Sequence, residues 1–282
     1  MLAKTTSSSD EFISATGELL ESDPVGNSII LTMLAGLRYR PPAAPAITWS
    51  WVSEQGEDGE RVVGASAFSA PYLVVLSGMP AEAAAALADA LAAGPDPVPG
   101  VIGEDVAAAA FARQWSRATG RPAAEGRREL VLQLDADTVV ADREAPSGHS
   151  RPAVLEELEL LTDWCLEAAH GSRLTRQDAA RTVQQQIAAG RLQVWEDDGP
   201  VAILGRSAAV SGAGRYGPVY TRPERRGKGY VRALLIEAAQ GRHEQQAPVV
   251  AAYVDLGNQA VQKLFTSIGF RPSLTMAEYR FD

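Results

Sequence analysis

The stretch that most restricts the possible folds runs Arg215-Tyr-Gly-Pro-Val-Tyr-Thr-Arg-Pro-Glu-Arg-Arg-Gly-Lys-Gly-Tyr-Val231, followed by a helical pattern. Val231, Leu234, Leu235 and Ala238 stand at i, i+3, i+4 and i+7, one buried face of a helix. The segment therefore predicts a strand, a short turn through Gly227 and Gly229, and a helix start. Free backbone N–H groups gather at such a start, and the helix dipole favours an anion there. The glycines let a phosphate approach the backbone, and Arg225, Arg226 and Lys228 add positive charge. Upstream, Gly217 and Pro218 fall inside the strand pattern. Proline has no N–H for a ladder, so a bulge is expected there.

That local positive charge stands out because the chain is acidic. Its 282 residues hold 26 Lys and Arg against 35 Asp and Glu, a net charge of −9. A bulk electrostatic affinity for nucleic acid is not expected. One cysteine, Cys165, allows no intrachain disulfide and no thiolate zinc site, and His149, His170 and His243 lack ligand spacing, so no metal is expected. No run of 18 apolar residues occurs, and the opening residues lack an apolar signal core, so a cytoplasmic protein away from the membrane is expected.

The length suggests two domains. Residues 141–152 are polar, aperiodic and hold two prolines, as a linker would, although a surface loop fits as well. The expected division is 1–145, an N-terminal α/β domain, and 146–282. In the first part, residues 1–9 are expected to be loose. Helices are predicted near 10–21 and 27–39, the second stopped by Pro41-Pro42, and near 81–93 and 106–118. Strands are predicted at 47–52, 61–68, 72–76 and 129–134. In the second part, helices are expected at 154–169, 175–190, after Gly229 and at 259–268, and strands at 192–195, 201–210, up to Thr221, 249–255 and 274–281. Thr175 and Asp178 have capping-box spacing. Cys165 lies on an apolar helix face, as a buried thiol would.

Two phosphate-binding motifs fit poorly. A Walker A loop fails, since it needs Gly where Arg222 stands, and a dinucleotide fingerprint is a weak match, since it needs Gly where Arg232 stands. The segment instead resembles motif A of the GNAT N-acetyltransferase superfamily, Arg/Gln-x-x-Gly-x-Gly/Ala, in Arg226-Gly227-Lys228-Gly229-Tyr230-Val231. Val231 occupies the place of the small residue. Val219-Tyr220-Thr221-Arg222-Pro223 matches the lead-in of that motif. Further on, Asn258 through Leu264-Phe265 to Gly269-Phe270 is similar to the family's Asn-x-x-Ala-x-x-Leu-Tyr-x-x-x-Gly-Phe/Tyr segment. The resemblance covers about residues 150–282, and residues 1–140 faintly resemble the degenerate first half of tandem GNAT proteins of the mycothiol-synthase type.

The resemblance implies a mixed α/β fold, a twisted sheet flanked by helices, and acetyl-CoA as co-substrate. It implies that Val219, Tyr220 and Thr221 bind the pantetheine arm and that Arg226, Gly227, Lys228, Gly229, Tyr230 and Val231 hold the pyrophosphate, with Asn258 and Phe265 also on the cofactor side. Asn258 is expected to cap its helix as well. The implied reaction is direct attack of a primary amine on the thioester, with a small-molecule amine as the expected partner. Family members often place a proton-donating Tyr where this chain has Phe265. Tyr253, Thr266, Ser267 or water are then the alternatives, and Asp255, Tyr253 and Glu278 are the candidate bases. A CoA-binding protein without turnover, and an enzyme for longer acyl-CoA, remain alternative readings. A monomer and a homodimer both fit.

Overall fold

The computed structural model describes residues 1–37, 45–56, 59–169 and 174–282. The expected Pro41-Pro42 helix stop and His170 lie outside them. The chain divides into two compact units, residues 1–131 with 273–282, and residues 132–272. By contacts the seam falls at Val131/Leu132, and residues 273–282, most of the chain's closing strand, group with the first unit.

The first unit runs β1 (Leu2–Thr6), α1 (Ser9–Ser22), α2 (Ser28–Gly36), β2 (Thr48–Gly56), β3 (Gly59–Phe68), β4 (Val74–Leu76), α3 (Ala81–Ala92), β5 (Gly100–Glu104), α4 (Asp105–Thr119) and β6 (Ala123–Leu134), the last crossing the seam. Helix α1 begins where Ser8 accepts the Glu11 N–H at 3.2 Å, and it buries Phe12, Thr16 and Leu20 at four-residue steps. The opening residues are not loose. Leu2–Thr6 pair antiparallel with Trp49–Ser53, and Lys4 bridges to Glu60 at 3.0 Å. An edge strand of this kind is held by backbone bonds and one ion pair, so its side chains carry no apolar signal. Between the sheet and the helices α3 and α4, Val52, Phe68, Leu76, Leu87 and Phe111 form the core, with Trp115 stacked on Phe281 at 5.2 Å.

The second unit runs β7 (His149–Pro152), α5 (Leu158–Ala168), α6 (Arg176–Ala188), β8 (Leu192–Glu196), β9 (Pro200–Arg206), β10 (Ala213–Thr221), α7 (Tyr230–Gln240), β11 (Val249–Asp255) and α8 (Gln259–Thr266). Leu155–Glu157 form a separate 3₁₀ turn ahead of α5, where one continuous helix was expected. Thr175 caps α6 by accepting the Asp178 N–H at 3.1 Å. Leu161, Trp164, Val183, Val194, Ile203 and Tyr220 pack together on the α5/α6 side of the sheet. Cys165 joins this cluster at 4% exposure, and burial pushes its thiol pKa up, so it is packing rather than a nucleophile.

Both units share one element order: a strand, two helices, three antiparallel strands, a helix, a parallel strand and a helix. No sequence repeat accompanies this structural repeat. The closing strand β12 (Arg271–Phe281) pairs antiparallel with β5 over Met276–Arg280. Among the described residues, no helix is long and apolar enough to cross a membrane.

Candidate active site

The expected bulge is present. Tyr216 pairs with Arg206 and Val219 with Leu204, so three steps along β10 oppose two along β9. Gly217 takes φ 148°, a conformation that other residues rarely adopt. On its other edge β10 pairs with β11 only from Ala213 to Arg215. Beyond that point the two strands share no paired residues.

The ladder determines which backbone groups remain available. The Arg222 N–H donates to the Val201 carbonyl at 3.1 Å, so Arg222 and Tyr220 turn toward β9. Alternation then turns the N–H and C=O of Val219 and Thr221 toward the open edge. The Thr221 carbonyl accepts Arg226 Nε at 3.1 Å, so the groups left available on that edge are the Val219 N–H and C=O and the Thr221 N–H. Tyr220, grouped with Val219 and Thr221 by the family resemblance, has its backbone turned to β9.

After β10, a 3₁₀ turn at Pro223–Arg225 leads into Gly227 (φ 79°) and Gly229 (φ 89°). The first bond into α7 runs from the Ala233 N–H to the Gly229 carbonyl at 3.0 Å. Among the described residues, no protein acceptor binds the amides of Gly227 through Arg232. Six consecutive backbone donors without a protein acceptor lie at a glycine turn and helix start, where a diphosphate is favoured.

The surrounding cations divide into two sets. Arg222 pairs with Glu224 at 2.6 Å, and Arg225 with Asp197 at 3.3 Å. Arg226 lies over the Tyr220 ring, 5.9 Å from its centre. Among the described residues, Lys228 and Arg232 make no ion pair. Arg232 escaped the sequence reading because it looks like an ordinary polar-face residue one turn into the helix. A Cβ built on Gly229 would stand 3.0 Å from Arg232 Nη2, which places the guanidinium directly beside the cradle.

The side chains of Tyr230 and Val231 are buried at 2% and 7% exposure, so only their amides face the turn. The Tyr230 hydroxyl donates to Asp197 at 2.5 Å and braces the β8–β9 turn. That bond first, helped by Ser147, Arg225 and Lys228 and opposed by desolvation, holds the Asp197 carboxyl below its ordinary range. Asn258 accepts the Val261 N–H at 3.2 Å and caps α8. Phe265 is 1% exposed and meets Phe270 edge to face at 5.0 Å, so its ring is core and offers a cofactor no surface. Tyr253 and Asp255 share one face of β11 by alternation, and Asp255 Oδ1 accepts the Gly257 N–H at 2.8 Å. Glu278 lies in the first unit, ion-paired with Arg280. Among the described residues, no cluster of three His, Cys, Asp or Glu could hold a metal.

Sequence reasoning missed a second feature. The buried Tyr220 hydroxyl donates to Glu167 on α5, a residue 53 positions away. Burial first, then the Glu167 carboxylate, push the Tyr220 pKa up to about 12. The neutral phenol is thus the native form. Its stabilisation is complete below an ordinary tyrosine pKa near ~10 and is lost as pH rises through the native value. Tyr220→Phe is expected to lower stability by about 1 kcal/mol at neutral pH. Melting curves of both proteins between pH 8 and 12 are expected to converge at the alkaline end; no gap at pH 8 would show that the bond contributes nothing, and a constant gap that its contribution does not depend on the neutral phenol.

The corresponding turn of the first unit is Ser77-Gly78-Met79-Pro80, ahead of α3. It holds no Lys or Arg, and the Ser77 N–H already donates to the Ala65 carbonyl at 2.8 Å. The anion cradle is therefore built in one of the two repeats.

Comparison with known proteins agrees with this geometry. Residues 152–270 match the acetyltransferase (GNAT) family. No curated protein matches the chain. Among solved structures, a Drosophila protein superposes with a TM-score of 0.69 at 13% identity, covering 99% of this chain and 98% of that one. An acetyltransferase from the GNAT family of Colwellia psychrerythraea gives 0.60 at 14%, covering 100% of both. A tandem GNAT protein from the clavulanic acid biosynthesis pathway gives 0.51 at 16%, covering 99% and 98%. These likenesses span both units and show a shared two-unit fold. With motif, bulge and cradle in one segment, residues 152–270 are an acetyltransferase domain of the GNAT family.

Proposed function

We propose that the chain is an acetyl-CoA-dependent N-acetyltransferase acting on a primary amine, with a small molecule as acceptor. The observation that carries this reading is the parting of β10 from β11 after Arg215, which leads directly into six unengaged amides at the start of α7. The available groups fit a CoA thioester: a strand edge for the amide-bearing arm, and a cationic glycine turn for the diphosphate. Acetyl-CoA, when bound, supplies the activated acyl group. Val219 and Thr221 would align the arm through backbone bonds, and Gly227 through Arg232 would hold the diphosphate.

The acceptor must lose a proton, since a free alkylamine titrates near ~10.4. Tyr253 and Asp255 are the proposed groups for proton movement on the β11 side. The bulge leaves backbone groups of β10 outside the ladder, where a donor to the thioester oxygen is needed. Phe265 provides no proton, so the leaving thiolate would take one from Tyr253 or water.

The test is mass spectrometry of a panel of primary amines incubated with acetyl-CoA and the full chain. Many acetylated products per protein molecule are expected for at least one amine class. Binding of CoA without turnover on any amine would favour a regulatory CoA-binding protein. Products only with bulkier thioesters would move the assignment to a longer acyl donor.

A further inference from the structure

In the first unit, Ala109, Ala112, Arg113, Ser116 and Arg117 fall at three- and four-residue spacing along α4, one stripe of the helix. With Ala123 of β6 and Tyr279 of β12 they line a recess of about 330 Å³. Alternation puts Tyr279 on the same face of β12 as Phe281, which stacks on Trp115 of α4. Ala123 and Tyr279 both pack against the core of the unit, so the recess has an apolar floor. Its three alanines each stop at Cβ and leave space that longer side chains would fill.

The polar groups of the recess are left without protein partners. Among the described residues, Arg113 and Arg117 make no ion pair. Arg121, one turn further on, is by contrast spent on the backbone, donating to the Phe281 and Asp282 carbonyls at 2.8 Å each. Thr119 likewise returns its hydroxyl to the Trp115 carbonyl at 2.8 Å, whereas Ser116 Oγ is buried with no partner among the described residues. A hydroxyl held in this way is costly until a ligand or water completes it. Burial first, then the Glu125 and Asp105 carboxylates, push the Tyr279 pKa up against Arg128 and Arg113, so its phenol stays a donor at neutral pH. Both carboxylates pair with Arg128, which leaves the charge of Arg113 and Arg117 uncompensated.

We propose that this recess binds a small organic acid, its anionic head on Arg113, Arg117 and Ser116 and its apolar body on the alanines beside Tyr279. Two guanidinium groups one helical turn apart suit such a head, because each offers parallel N–H donors to paired oxygens. The Ser116 hydroxyl gains there the partner it lacks within the chain. A volume at the low end of the ~300–1,000 Å³ of small-ligand sites admits one ring or a short chain rather than a nucleotide cofactor. The lining residues belong to α4, β6 and β12, and none to the Gly227–Arg232 turn, so the site stands whether or not that turn binds CoA.

Isothermal titration calorimetry of the full chain with phenylacetate, phenyl phosphate, phenylacetamide and acetate tests this. One of the two aromatic acids is expected to bind at one site per chain, the tighter of them identifying the head as carboxylate or phosphate. Phenylacetamide, which lacks the charge, and acetate, which lacks the ring, are each expected to bind at least about tenfold more weakly than phenylacetate. Arg117→Gln is expected to weaken the preferred acid about tenfold. Ala109→Leu fills the recess from a half-buried helix position and is expected to abolish binding while the chain melts within about 2 °C of the wild type. Gly229→Glu is expected to leave the affinity unchanged, since it lies in the other unit. Acetate binding as tightly as phenylacetate would overturn the proposal by showing an unshaped basic patch. Binding that survives Ala109→Leu, or that Gly229→Glu removes, would overturn it by placing the acid elsewhere. So would the absence of binding by both aromatic acids at millimolar concentration.

Discussion

Acetyl-CoA at a hundredfold excess over its dissociation constant is expected to raise the melting temperature by about 5 °C or more, and Gly229→Glu is expected to abolish the shift. A ligand at that excess that binds only the native state stabilises it by roughly 2.7 kcal/mol, and 1 kcal/mol moves a domain of this size by about 2–4 °C. Gly229 has φ 89°, where a side chain is strained, and its Cβ would stand 3.0 Å from Arg232 Nη2. A carboxylate there would neutralise Arg232 and set a negative charge at the mouth of the amide cradle. Affinity is expected to fall at least about hundredfold, the combined loss of a charge-assisted contact and gain of a repulsion. Arg226→Glu is expected to act in the same direction with less damage to the turn, because Arg226 touches Thr221 and Tyr220 rather than closing the loop. Scanning fluorimetry of the three proteins with and without ligand measures this. A full shift retained by Gly229→Glu would place the cofactor elsewhere.

The parts of the site that could be read in the sequence are those whose cause is local. Gly227 and Gly229 adopt positive φ within a few residues of the charges they accompany, and Pro218 forbids a ladder bond wherever it lies in a strand. Asn258 announces its helix through a cap three residues long. Features built by the fold were hidden. The Tyr220–Glu167 bond joins a strand to a helix far away in sequence, and nothing near either residue marks the other. Arg232 looks like a solvated helix residue until the turn of the backbone brings it over Gly229. The structural repeat leaves no sequence period because each unit fills its core with different side chains, Phe111 and Trp115 in one and Trp164 and Tyr220 in the other. The partner of β12 was equally illegible, since an alternating strand does not specify which edge it joins.

The bulge that parts β10 from its neighbour depends on the absence of a side chain at Gly205, and Gly205→Val is expected to disable the protein more than any substitution in the basic turn. A Cβ at residue 205 would lie 2.6 Å from the Gly217 carbonyl oxygen, 2.7 Å from Pro218 Cδ and 2.8 Å from Gln186 Nε2. Two of these belong to the bulge itself, so relief requires the backbone of β10 to move. The Gln186 contact to the Gly217 carbonyl, at 3.4 Å, would be displaced as well, and Gln186 Oε1 is already buried without a partner. Overpacking of a buried position typically costs about 1–3 kcal/mol, and a displaced polar contact adds to it. The consequence for chemistry is larger than for folding, because Val219 and Thr221 follow the bulge and take their orientation from it. A shift of about 1 Å in the groups that align a reacting bond lowers rate about hundredfold. The expected result is a chain that melts lower by several degrees, still gains some stability from CoA through the Gly227–Arg232 turn, and transfers acetyl at about a hundredth of the wild-type rate or less. Normal turnover in a folded Gly205→Val protein would show that the geometry of the bulge plays no part in catalysis.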